Sequence, residues 1–373
     1  MKRPRLPSAM LIVALVFTGT TGVLYPEYPS GGPTPVAPPG TYSIVAGDPV
    51  TGDLGVAVQS RFLGVGSVVP WAKANVGAVA TQARANTTYG PEGLRMLASG
   101  WTAQEVLDSL ITVDPDREFR QVGIVDAMGN SAAFTGRECA GYAGQVRGAG
   151  YSVQGNILTG EQVLTAMSAA FERTGGDLAD RLLAALDAGE RAGENSRGGQ
   201  SAALIVVREG GGYGGFNDRF IDLRVEDHPN PIAELRRLYG LWNDTFLPEA
   251  RMESIARFNR NKQFSAAQEE TRRVVEDLNA ALRDKPDDPE VLNRVAWILA
   301  TYDLARERAL ELAKRAATIA PGQPHILDTM AECHFRLGHL QEAIAIESEL
   351  VAKEPANDHY WKQLQKFKTA AGK

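Results

Sequence analysis

The chemistry open to a chain is bounded first by its nucleophiles and bases, and here histidine is scarce where it would be needed. Of five histidines only His228 precedes residue 249; His325, His334, His339 and His359 follow it. A Ser–His–Asp triad or a two-histidine metal site in the first part would rest on His228 alone or on a residue lent by the tail. Cys139 and Cys333 are the only cysteines, too few for a disulfide framework or a thiolate zinc site. Cys139, in Gly136-Arg137-Glu138-Cys139-Ala140-Gly141, has no histidine near it in sequence, which reads as a structural thiol rather than a nucleophile. His228, in Glu226-Asp227-His228-Pro229, reads as a loop residue. No metal or other cofactor site is visible. Amide hydrolysis without histidine has one simple solution. A chain that begins with Thr, Ser or Cys can use its own α-amine, with a reference pKa of about 8, as the base. Gly40-Thr41, ahead of the strand-like run Thr41-Tyr42-Ser43-Ile44-Val45-Ala46, is a suitable place. The Thr41 hydroxyl can attack the preceding carbonyl itself, because glycine hinders that approach least. The residues equally allow Thr41 to be a β-branched residue that starts a strand, and both readings stand.

The elements that must position such a site are legible between residue 41 and about residue 225. Strand-like runs fall at 42–47, 54–60, 77–82, 121–126, 131–135, 151–154, 201–208 and 220–225. Asp48-Pro49-Val50-Thr51-Gly52-Asp53 joins the first two with hairpin-turn chemistry. Helical periodicity appears at 91–99, 102–111, 161–173 and 177–192. Several strand pairs are sequential, which predicts a mainly antiparallel α+β layered domain rather than a doubly wound nucleotide fold. Gly64-Val65-Gly66 lacks the third glycine of a dinucleotide loop. The run from Gly210 to Gly215 lacks the Lys-Ser/Thr of a P-loop.

The ends differ from this middle. Lys2, Arg3 and Arg5 precede an apolar run, 9–17, too short to span a bilayer but suited to a signal peptide. Residues 1–22 are therefore expected to direct export to the periplasm or beyond, or to stay attached as an N-terminal anchor. Residues 23–40, with six prolines from Pro26 to Pro39, read as an extended linker. Of 38 glycines only Gly322, Gly338 and Gly372 lie beyond residue 249, so the tail has the composition of packed helices. It also repeats. Pro321 and Pro355 are 34 residues apart, as are Ala309 and Ala343, and Gly338-x-x-x-x-Ala343 has tetratricopeptide spacing. A degenerate unit built on Phe264, Ala267, Val274 and Leu278 precedes them, and a helix around Trp361 and Leu364 ends the array. Residues 250–373 are thus expected to stack as a helical repeat module whose open face takes a protein or peptide partner, or which serves as a rigid appendage. Its histidines sit singly along the helices and read as packing or surface residues. The net charge of −6 (39 basic against 45 acidic residues) and the absence of a basic stripe argue against nucleic-acid binding.

A resemblance adds to this reading. Thr41-Tyr-Ser-Ile-Val-Ala46, Gly55-Val-Ala-Val-Gln-Ser-Arg-Phe62, Val69-Pro-Trp-Ala-Lys-Ala74 and Gly77-Ala-Val-Ala-Thr-Gln-Ala83 follow one another in order. Arg120-Gln121-x-Gly123-x-Val125-Asp126, Gln154-Gly-Asn-Ile-Leu158 and Gly199-Gln-Ser-Ala-Ala203 come next. Together they resemble domain of unknown function 1028, a family grouped structurally with the N-terminal-nucleophile (Ntn) hydrolases. The resemblance covers about 41–245 and implies a four-layer αββα sandwich. By the Ntn pattern Thr41 would be nucleophile and base, Lys73 a nearby cation, and Ser60 and Arg61 the pocket wall beside Thr41. Asn156, or backbone amides at Gly155, would stabilise an oxyanion; Asn86, Arg120, Asp126 and Gln200 would grip a polar substrate. The expected substrate is an amide-containing small molecule or peptide, and pairing into a homodimer is common among such domains. The alternative is a catalytically inactive αββα binding domain, or a scaffold whose function lies in the repeats.

Overall fold

The structure, a computed structural model, describes residues 40–194 and 196–372. The expected signal peptide and nearly all of the proline linker lie outside the described residues.

Among the described residues ten strands form two antiparallel sheets. The first runs in the order β10-β9-β2-β1-β8-β7, with β1 Thr41–Gly47, β2 Leu54–Ser60, β7 Tyr142–Gly148, β8 Tyr151–Leu158, β9 Ser201–Val207 and β10 Arg219–Val225. The second runs β3-β4-β5-β6, with β3 Pro70–Lys73, β4 Gly77–Ala83, β5 Arg120–Asp126 and β6 Ser131–Thr135. Helices α3 (Glu161–Arg173) and α4 (Leu178–Arg191) cover the outer face of the six-stranded sheet, and α1 (Tyr89–Ala98) and α2 (Ala103–Val113) cover the four-stranded one. This is the expected α+β sandwich in four layers. β3 and β7 escaped the sequence reading for a shared reason. Both are edge strands, one opening on Pro70 and the other broken by Gly144 and Gly148, so neither carries the apolar alternation of a half-buried strand.

Period-two alternation sorts the side chains of β1. Tyr42, Ile44 and Ala46 join the core beneath α3 and α4, whereas Val45 packs between the sheets with Val56, Val58, Ala78, Ala80 and Val125. Helix starts are fixed locally. Thr102 with Glu105, and Asp177 with Asp180, form capping boxes that satisfy the first amides of α2 and α4.

Beyond the sandwich the chain is helical. After α5 (Pro231–Thr245), which still packs on β9 and β10, come α6 (Leu247–Arg260) and the long α7 (Phe264–Asp284). Then follow α8 (Pro289–Thr301) with α9 (Arg306–Ile319), α10 (Pro324–Arg336) with α11 (Leu340–Lys353), and α12 (Asp358–Ala371). Ala309 and Ala343, one period apart, are both fully buried where their helices meet their neighbours. Phe264, expected in the core of the degenerate unit, is instead 65% exposed at the first turn of α7, where no helix covers it. The tail histidines are less solitary than expected: the Nδ1 atoms of His334 and His339 lie 3.3 Å apart.

A buried ionic chain fastens the helices to the sandwich. Arg208, at the end of β9, grips the Asp53 carboxylate with two bonds of 2.6 Å and Glu270 of α7 at 2.8 Å. Arg251 of α6 joins Glu270 to Asp177 at the start of α4, and Arg273 reaches Asp48 in the β1–β2 turn at 3.1 Å. Charges taken out of water this way are tolerable only because each meets an opposite partner.

Candidate functional site

The space between the sheets changes character along the strands. Toward the β1–β2 turn it is valine and alanine. Toward the start of β1 it becomes Thr41, Ser43, Ser60, Gln82, Gln121, Ser152, Gln154 and Asn156, all buried. Buried amides are costly unless bonded, and these are bonded to one another. Gln82 accepts from Ser43 Oγ at 2.6 Å and donates to Gln121 Oε1 at 2.8 Å and toward the Thr41 carbonyl at 3.5 Å. Gln154 Nε2 donates to Ser43 Oγ at 2.6 Å, and Asn156 Nδ2 donates to Gln121 Oε1 at 3.1 Å. Gln121 Nε2 in turn donates to the carbonyls of Gly144 and Gly155. Gly123 makes room for this layer, since a Cβ there would stand 2.2 Å from Gln154 Oε1.

Thr41 sits at one end of that layer, paired across the sheet with Ser60 on one side and Asn156 on the other. Its Oγ1 is 2.8 Å from Ser60 Oγ. The Ser60 hydroxyl donates to the Gly40 carbonyl at 3.0 Å, so its single proton is spent there and Thr41 is the donor between the two hydroxyls. The Gly40 carbonyl also accepts from the backbone N–H of Arg61 at 3.0 Å. Two donors converging on the carbonyl that precedes a threonine are what a developing oxyanion needs.

A cleft of about 310 Å³, lined by Ala83, Arg84, Phe119, Glu138, Cys139, Ala140, Asn156 and Ile157, reaches this end of the layer at Asn156, the cross-strand partner of Thr41; Thr41 itself does not line it. Two of these wall residues have left-handed backbones, Ala83 at φ 65° and the β-branched Ile157 at φ 55°. They directly follow Gln82 and Asn156, so the strain sits next to the polar layer. Such conformations cost about 1–3 kcal/mol each and concentrate at functional sites. No feature of the sequence marks either residue. The Cys139 thiol donates to the Arg120 carbonyl at 3.4 Å, and burial raises its pKa, which keeps it a thiol.

The expected site residues separate into two groups. Thr41, Ser60 and Asn156 come together, with the Arg61 amide; the exposed Arg61 side chain turns away to the Gly199 carbonyl at 3.1 Å. Gln200 stays close, because its N–H donates to the Ser60 carbonyl, but its side chain donates to Asp227. Lys73 and Asp126 are not part of this end. Both are paired with Gly77 at the far end of β4, five residues from Gln82, which is roughly 16 Å along a strand. Lys73 is exposed there. Asp126 is occupied by the amides of Ala103, Met128 and Asn130, closing the β5–β6 turn and capping α2. Asn86 and Arg120 both donate to Asp114, at 3.1 and 3.0 Å. Burial works to raise the Asp114 pKa, but the bonds from Arg120, Asn86 and Tyr89 outweigh it and hold the carboxyl ionised well below its usual range. These two side chains brace the loop after β4 rather than reach for a ligand. The role of Gln82 and Gln121 as the hub of the polar layer escaped the sequence reading, although both lie in the motifs quoted above. The available signal was glutamine inside an otherwise apolar strand.

A two-sheet sandwich that buries a strand-leading threonine between its layers defines the class of the first domain. Residues 41–235 match the family described as "Family of unknown function (DUF1028)", and the chain belongs to that family. Residues 305–366 match the tetratricopeptide repeat, so the tail is a repeat module of the kind that mediates protein interaction. Among solved structures, protein SPO2555 from Silicibacter pomeroyi, assigned to the same family, is 34% identical with a TM-score of 0.51. The match covers 56% of this chain and 92% of that one. No curated protein matches the chain.

Proposed function

We propose that the protein is an exported N-terminal-nucleophile amide hydrolase that matures by cutting its own Gly40–Thr41 bond. One observation carries this reading: Thr41, Ser60 and the Gly40 carbonyl are joined in one hydrogen-bonded line, with the Arg61 amide as second donor. Thr41 Oγ1 attacks the Gly40 carbonyl carbon. The oxygen takes up negative charge against Ser60 and Arg61, and the Thr41 hydroxyl proton ends on the departing amine. Water then hydrolyses the resulting ester, leaving a Gly40 carboxylate and a free Thr41 amine. In the mature chain that amine serves as base for the Thr41 hydroxyl, and the adjoining cleft receives the amide substrate. The basic and apolar start of the chain supports export.

Intact-mass measurement and N-terminal sequencing of the purified full chain test this. A mature chain that begins at Thr41, and a Thr41→Ala chain that stays uncut and hydrolyses no amide, are the expected results. A wild-type chain that keeps residue 40 attached would remove the mechanism.

A further inference from the structure

Three carboxylates converge where α10, α11 and α12 meet. Asp328 and Glu332 lie one turn apart on α10, and Glu347 comes from α11; all three are buried, the two glutamates completely. Glu332 is fully engaged, accepting from Arg336 Nε at 2.7 Å, Lys366 Nζ at 2.5 Å and Gln363 Nε2 at 3.4 Å. Asp328 holds His359 Nε2 at 3.0 Å with one oxygen, and among the described residues the other has no donor. Among the described residues Glu347 has no donor on either oxygen. The groups that face it are Asp328 and Glu332 from α10, and Lys366 and Tyr360 from α12.

The charges do not balance. Arg336 and Lys366 are spent on Glu332, and His359 serves one oxygen of Asp328, so the Asp328–Glu347 pair lacks a cation of its own. A buried carboxylate without a donor is expensive, and two facing each other are more so. Burial, and then Asp328, push the Glu347 pKa up to about 8, so near pH 7 the pair holds a shared proton in place of a cation. The rim above it is open to solvent at His359, whose side chain is 54% exposed.

We propose that this socket receives the basic side chain, lysine or arginine, of a partner protein bound along the repeat helices. The cation enters beside His359, and the Glu347 proton leaves as the ion pair forms. The inference rests on the repeat module alone and is independent of the chemistry assigned to Thr41.

Titration calorimetry of the full chain with an acetylated, amidated peptide of repeating Gly-Ser-Lys tests it, in two buffers of equal pH and different ionisation enthalpy. The expected result is binding that strengthens from pH 6 to 8.5 and releases about one proton per site near pH 7. Glu347→Gln, which removes the charge while keeping the shape and a donor toward Asp328, should abolish the proton release and weaken binding about tenfold or more. Asp358→Asn, at an exposed acid on α12 outside the socket, should change neither. Peptide binding unaltered by Glu347→Gln, or no binding in the millimolar range, would assign the pair to a shared proton that serves folding only. Tighter proton-releasing uptake of free spermine than of the peptide would overturn a protein partner.

Discussion

Arg208 and Glu270 meet at 2.8 Å with both side chains buried, one directly after β9 of the sandwich and the other from α7 of the tail. Each also holds a second partner, Asp53 and Arg251 respectively, so the pair is the centre of the ionic chain rather than an isolated bridge. Glu270→Ala leaves two arginines facing an empty site. The expected loss is about 3–5 kcal/mol of unfolding free energy, read from urea denaturation of the full chain. A midpoint equal to the wild type would show that the arginines find other partners and that the chain of charges is dispensable.

Ser60 tests the maturation chemistry more narrowly than Thr41. Ser60→Ala keeps the nucleophile and the Arg61 amide but removes the hydroxyl that touches both Thr41 and the Gly40 carbonyl. Cutting at Gly40–Thr41 should slow by about 10²–10³, the usual cost of one oxyanion donor. Intact mass followed over time after cell-free synthesis measures it; an unchanged rate would take Ser60 out of the reaction.

Gly123→Ala probes the polar layer through its packing. The added Cβ collides with the Gln154 amide and breaks the bond from Gln154 to Ser43. A loss of about 1–3 kcal/mol is expected from overpacking, together with slower maturation. Gly175→Ala, where nothing stands within 4 Å, is the matched control and should be near neutral in thermal melting.

Asp180 predicts a pH dependence. Burial, with the Asp177 charge behind it, pushes its pKa up to about 7. An unfolded aspartate titrates near about 3.9, so ionising Asp180 works against the fold. Its contribution is full below about pH 4 and is lost as pH rises through 7. Asp180→Asn keeps an oxygen for the Asp177 amide and removes the titration, so melting temperature should fall less between pH 5 and 8 than in the wild type. Parallel curves for the two proteins would refute it.

What the sequence disclosed followed from periodicity and punctuation. The short apolar run at 42–47 announced β1, and the 34-residue spacing of Ala309 and Ala343 announced the repeats. Thr41 was singled out by type and by its place at the start of a strand, and Ser60 by the Ntn pattern; the register sets the two side by side. Lys73 and Asp126 were misplaced because position within a strand-rich motif does not say which end of the sandwich a residue reaches; that depends on pairing with Gly77, which only the sheets reveal. Asn86 and Arg120 were polar residues near the site whose partner, Asp114, lies in a different loop. The strained backbones of Ala83 and Ile157 were invisible, because neither residue type favours positive φ.

The two halves of the inter-sheet layer also differ in how they resist sliding. Valine and alanine contacts carry no direction, so that half holds the sheets by fit alone. The bonds from Ser43 to Gln82 and from Asn156 to Gln121 cross between the sheets and are directional, so a slip of the layers would break them. Thr41 and Ser60, neighbours in one sheet, therefore stand at the end where directional bonds fix that sheet against the other, so the pair keeps a set position relative to the opposite layer.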